Sequence, residues 1–158
     1  MSQPGVIDGL QFARTEGVLE GSVDLSQLPR LAESNCATEG LRFGLRGSMN
    51  AEGRPQLGVT VRGNLRMVCQ RCLGPMDFPV EINVDLVLSD SLAEIESVDD
   101  GLVRVLAGKA MPVSELIEDE VLLVMPMVPR HDQCEGAGSN AAQRESSPFA
   151  VLARLKQG

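Results

Sequence analysis

Tryptophan and tyrosine are absent from this 158-residue chain, phenylalanine occurs four times and histidine once. A site that stacks bases on aromatic rings is therefore poorly supplied. Long apolar runs are missing as well. The longest, Val121 to Met125, stops at Pro126, far short of the ~18 residues of a membrane span. The opening stretch MSQPGVIDGLQFARTEG meets Asp8, Arg14 and Glu16 before any apolar run forms, so neither a secretory leader nor a membrane partner is expected. Cysteine is scarce: Cys36, Cys69, Cys72 and Cys134. Without an export signal these thiols are expected to stay reduced in a cytoplasmic protein, as packing residues, metal ligands or redox groups.

Catalytic signatures are also lacking. The glycines at 101, 108, 136 and 138 match no phosphate-cradling spacing, and no nucleophile turn or oxyanion hole accompanies a pairing of Cys69 or Cys72 with His131. Glu118, Asp119 and Glu120 fall around the circumference of a helix, near a start whose dipole favours acids. The expectation is a protein that is not an enzyme and takes no small-molecule substrate.

What is present is one domain's worth of chain, residues 1–158, with a net charge of −8 that argues against a general nucleic-acid binder. The average hides a division. From Leu41 to Leu73, Arg42, Arg46, Arg54, Arg62, Arg66 and Arg71 face Glu52 alone, whereas from Asp77 to Glu120 twelve acids face only Arg104 and Lys109.

The basic segment alternates apolar and polar residues with a period of two. Leu41, Phe43 and Leu45, then Leu57, Val59, Val61, Leu65 and Met67, then Val80, Ile82, Val84, Leu86 and Leu88 predict three antiparallel strands, each with one wet face. VCQRCLGPMDF, residues 68–78, then joins two paired strands. Centring the hairpin on that connection sets Arg66 opposite Glu81 and Arg62 opposite Asp85, pairs worth about 0.2–1 kcal/mol each. The turn at residues 50–53 brings Arg42 and Arg46 beside the Arg62 strand, leaving two or three arginines without an acid partner.

Elsewhere, Val18 to Asp24 predicts a strand and Ser26 to Glu33 a short helix capped near Ser26 with Pro29 in its first turn. Residues 89–101 read as an acidic loop and Leu102 to Leu106 as an edge strand. A central helix is expected from Ser114 to Met125, with Val113, Leu116, Ile117, Val121 and Val124 as its buried stripe. Residues 135–147 carry no apolar period and predict a mobile loop, and Ser147 to Lys156 a short C-terminal helix with Phe149, Leu152 and Leu155 along one edge. The fold class is α+β with a mainly antiparallel β-sheet.

Cys69-Gln70-Arg71-Cys72-Leu73-Gly74 admits three readings. A thioredoxin-like redox pair needs a helix start at the first cysteine, where strand is expected instead. A zinc knuckle needs two further nitrogen or sulfur ligands, which His131 and Cys134 supply, with Cys36 spare. Small residues packed in a turn are the third.

VCQRCLGPMDF, the acidic SELIEDEVLLVMPMVPRHDQCEG and the closing SPFAVLARLK together resemble the YceD family of bacterial proteins, named for large ribosomal RNA subunit accumulation. The resemblance implies a cytoplasmic, non-enzymatic factor for synthesis, processing or stability of 23S ribosomal RNA. Some relatives carry a richer cysteine cluster after the Met-Pro segment. Here Glu135, Gly136, Ala137 and Gly138 follow Cys134, so the fourth zinc ligand falls to His131. For that role, Arg42, Arg46, Arg62, Arg66 and Arg71 offer guanidinium forks to the phosphates or the wide minor groove of an rRNA helix. The acidic stretch suits a basic ribosomal or RNA-processing protein. A zinc or thiol module that binds a protein partner unrelated to rRNA is the alternative.

Overall fold

The fold, taken from a computed structural model, is described for residues 5–134. The sequence-predicted loop at 135–147 and the C-terminal helix at 147–156 lie outside the described residues.

The three alternating segments form the centre of a five-stranded sheet. β2 (Val18–Val23), β3 (Leu41–Met49), β4 (Pro55–Val68), β5 (Pro75–Ser89) and β6 (Arg104–Leu106) lie in that order, antiparallel except for β6, which runs parallel to β5 at the edge. A two-stranded ribbon pairs β1 (Val6–Ile7) with β7 (Met111–Pro112). Because side chains alternate across a strand, Leu41, Phe43, Leu45, Leu57, Val59, Val61, Leu65, Ile82 and Leu86 all point to one side and are buried there. Helices cover that side: α1 (Gly9–Arg14), α2 (Pro29–Glu33) and α4 (Val113–Val124). The architecture is the expected α+β class.

The β4–β5 hairpin is longer and tighter than the alternation alone implies. Its register pairs Arg62 with Glu81 and Arg66 with Asp77, and sets Asp85 opposite Gly58. The expected partners, Arg66 with Glu81 and Arg62 with Asp85, are therefore displaced by four residues. The reason is that β5 starts at Pro75 rather than Val80, leaving residues 69–74 as the turn, and Asp77 and Phe78 inside the strand. Pro79 suggests a strand end. Yet at that level β5 has only β4 as a neighbour, because β6 reaches no further than Val87, so the missing N–H faces an open edge.

Smaller departures have local causes. The segment expected as one helix from Ser26 splits into a 3₁₀ turn at Leu25–Gln27, closed by an Asp24–Gln27 capping box, and α2 with Pro29 at its first turn. Ser91 caps a short helix, α3 (Leu92–Ser97), inside the acidic loop. α1, capped by Asp8, is an element that the polar N-terminal sequence does not announce. In α4, Val124 is 42 % exposed and leaves the buried stripe, while Glu118 joins it at 1 %. Glu118 owes its place to more than the helix dipole. Its carboxylate accepts from the Leu31 amide at 2.9 Å and from Arg30 Nε at 3.0 Å, so α4 supplies the missing cap of α2.

Candidate metal centre and arginine face

Beyond the last paired residues, Val68 and Pro75, the hairpin closes through Cys69 N–H to the Gly74 carbonyl (2.9 Å) and Leu73 N–H to the Cys69 carbonyl (2.9 Å). Leu73 takes a left-handed backbone, φ 59°, which a non-glycine residue adopts at a cost. That twist turns backbone amides inward. The Arg71 N–H points at Cys69 Sγ at 3.4 Å, and the His131 N–H does so at the same distance. The Cys72 amide pulls hardest on the Cys69 thiol, and with the His131 and Arg71 amides it outweighs burial and lowers the pKa to about 6. Cys72 moves the other way. The Gly74 amide draws it down, but burial and the neighbouring Cys69 sulfur push it up.

The segment after α4 swings back to this tip, held by Gln70 N–H to the Pro129 carbonyl at 2.8 Å. His131 Nδ1 then lies 3.4 Å from Cys72 Sγ, and its Nε2 lies 3.0 Å from the Pro75 carbonyl. A carbonyl only accepts, so Nε2 carries a proton, and in the neutral ring Nδ1 then presents its lone pair to the cysteines, the arrangement that orients a metal-binding histidine. The ligand atoms of Cys69, Cys72, His131 and Cys134 all fall within 4.8 Å of one another. A tetrahedral ion with bonds of about 2.0–2.3 Å needs its ligands about 3.3–3.8 Å apart, so these four lie close enough to hold a metal. Strand, not helix, follows Cys72. The low pKa of Cys69 thus comes from amides rather than from a helix start. Cys36 is buried apart from this cluster, donating to the Leu31 carbonyl.

The arginines divide. Arg71 leaves the group: its guanidinium lies 3.7 Å from Cys134 Sγ, against the cysteine cluster. The other four share the solvent side of the sheet. In register, Arg42 stands directly opposite Arg62, and Arg46 opposite Gly58. Arg62 meets Glu81, and Arg66 meets Asp77, each at 3.6 Å with both side chains mostly exposed. Arg42 and Arg46 have no carboxylate within 4.0 Å among the described residues, as the turn at 50–53 implies. Between them the surface is lowered by small residues. A Cβ on Gly44 would come within 2.8 Å of Thr60 Oγ1, and Gly58 lies under Asp85 Oδ1. Two adjoining concavities of about 530 and 450 Å³ share Glu20, Gly44 and Thr60. The polar positions of the alternating pattern are the signal for this floor, since Gly44, Gly58 and Thr60 are short where long side chains would otherwise stand.

A family model described as Large ribosomal RNA subunit accumulation protein YceD matches residues 57–156. The chain belongs to the YceD family. The match opens inside β4 and takes in the β4–β5 hairpin, α4 and all four residues of the cluster, while Arg42 and Arg46 precede it. The family description connects YceD proteins with the accumulation of large-subunit ribosomal RNA. No solved structure matches this YceD chain. Among its described residues, no helix is long and apolar enough to cross a membrane.

Proposed function

We propose that this YceD chain is a non-enzymatic binding factor in the accumulation of 23S ribosomal RNA, touching the RNA or its precursor through Arg42, Arg46, Arg62 and Arg66. The observation that carries the reading is the direct opposition of Arg42 and Arg62 across β3 and β4. Like charges facing each other cost stability, and an anion laid over both offsets that cost. A phosphate backbone is such an anion.

Zinc at Cys69, Cys72, His131 and Cys134 completes the proposal. The donor set of three sulfurs and one imidazole nitrogen suits it, and when bound it would clasp the segment after α4 to the hairpin tip without an open coordination position. The role is structural.

The acidic stretch supports a basic protein partner less well. Six of its twelve acids, Asp77, Glu81, Glu94, Asp100, Glu118 and Asp119, are already in ion pairs with arginines of the chain. The test is ultraviolet crosslinking to RNA in cells, read together with 23S levels. Arg42→Glu with Arg62→Glu is expected to abolish crosslinks and lower 23S rRNA. Unchanged crosslinks and unchanged 23S in the double variant overturn the reading, and co-purification that survives ribonuclease identifies a protein tether instead.

A further inference from the structure

The solvent side of the sheet carries two stripes with one period. Arg46, then Arg42 with Arg62, then Arg66 occupy successive levels four residues apart along β3 and β4. Asp85, Glu81 and Asp77 occupy the same levels on β5. Four residues of strand span about 13 Å, and β3 lies about 10 Å from β5. With Glu20 on β2 opposite Gly44, this face is close to neutral: a row of forked donors runs parallel to a row of pure acceptors, with Thr60 and Asn83 paired between them.

Such a face is poorly suited to nonspecific DNA binding, because the acceptor row repels phosphates wherever the donor row attracts them. It is equally unsuited to single strands, which bind by stacking. Phe43 is 5 % exposed and points into the core, while Phe12 and Phe78 pack against it, so among the described residues no ring lies on the solvent side. A-form RNA presents anions and hydrogen-bond donors in parallel rows along a wide, shallow surface. The minor-groove side of A-form RNA carries phosphates along its edge and 2′-hydroxyls beside them. A 2′-hydroxyl donates to a carboxylate, and a 2′-deoxyribose has nothing to donate.

We infer that the ligand of this face is double-stranded RNA, its phosphates on Arg42, Arg46 and Arg62 and its 2′-hydroxyls donating to Glu81 and Asp85. The inference rests on the arginine-face reading above and adds two properties to it, duplex over single strand and RNA over DNA. Selection comes from the acidic row, which a plain electrostatic surface would lack. The shallow floor at Gly44, Gly58 and Thr60 lets a convex duplex approach both rows at once.

The test is fluorescence anisotropy of the full chain with three probes of one sequence: an RNA duplex of about 20 base pairs, longer than the roughly 16 that a compact duplex-binding domain spans, the same duplex in DNA, and the single RNA strand. The RNA duplex is expected to bind at least about tenfold tighter than either alternative, a preference of about 1.4 kcal/mol. Arg42→Gln with Arg62→Gln reduces the slope of log affinity against log salt by about 2. Glu81→Ala with Asp85→Ala removes acceptors. It is expected to strengthen DNA binding while leaving RNA binding no tighter, so that the RNA preference collapses. Equal gains for RNA and DNA in that variant overturn the 2′-hydroxyl contact, and a single strand that binds as well as the duplex overturns the choice of ligand. Both results leave the arginine face standing as an RNA surface. Absence of RNA binding by the parent chain, or an unchanged salt slope in the arginine variant, overturns the arginine face itself. All four substituted residues are exposed, and matching thermal melts confirm that each variant is folded.

Discussion

β4 carries two sites that differ in how their polar groups are satisfied. At its C-terminal end, the hairpin tip is closed: amides converge on Cys69, Pro75 fixes the His131 tautomer, and Arg71 stands beside Cys134. Midway along the same strand, Arg62 faces Arg42 and, among the described residues, pairs only with Glu81, at 3.6 Å. A site whose groups satisfy one another inside the chain serves the fold, whereas a site that leaves like charges opposed has room for something from outside. The tip depends on segments some sixty positions apart in sequence, as the Cys72–His131 contact shows. The arginine face needs only strand register.

The sharpest way to break this contrast is at the tip. Cys69→Ser is expected to take zinc content from about one ion per chain to none, by elemental analysis of the purified protein, and His131→Ala to weaken retention against a chelator. Arg42→Gln with Arg62→Gln should leave the zinc content unchanged. Loss of zinc in the arginine variant would erase the distinction between the two sites.

A second closed site allows the same comparison without metal. Glu118 is buried between α4 and α2, where removing its carboxylate orphans the Leu31 amide. Glu118→Ala is expected to cost about 2 kcal/mol in denaturant unfolding. On the open face the sign reverses. Arg42→Gln removes one of two opposed like charges, so stability should rise by about 0.2–1 kcal/mol even as RNA contact falls. A large destabilisation there would show that Arg42 is structural.

These differences explain what the sequence discloses. Period-two alternation made β3, β4 and β5 legible, because each strand has one dry and one wet face. Register was harder, since it depends on which residues form the turn. Val68 and Pro75 are the closing pair only because six residues, with Leu73 in a left-handed conformation, suffice to reverse the chain. The cysteine and histidine set was legible by chemistry and count, while the distance between its two halves is a property of the path from α4 to the tip. The burial of Glu118 is not legible in the sequence, because an acid near a helix start already has a local reason to be there, and the Leu31 amide that it caps lies 87 positions away. Arg71 belongs with the other arginines by charge alone, since it sits in the connection between the strands and not on the sheet face.

The smallest expected effect concerns acids on the two sides of that divide, and they titrate in opposite directions. Arg104 holds the Asp100 carboxyl far below the usual carboxylate range through a paired hydrogen bond. Its stabilising contribution is present above the ordinary carboxylate pKa and is lost as pH falls toward the depressed one. Glu120, 8 % exposed on α4, is pushed up by burial and by neighbouring Asp119. A raised acid favours the folded state when protonated, so its contribution is present below the ordinary carboxylate pKa and fades as pH rises through the folded value. Glu120→Gln should therefore stabilise the protein at neutral pH and give no gain in acid, whereas Asp100→Asn should destabilise it at neutral pH and flatten the acid limb. Melting temperatures of both variants from pH 3 to 8, a span of roughly five units bracketing the carboxylate range, separate these outcomes. Parallel curves for the two variants would mean that burial and pairing do not divide these acids as their surroundings require.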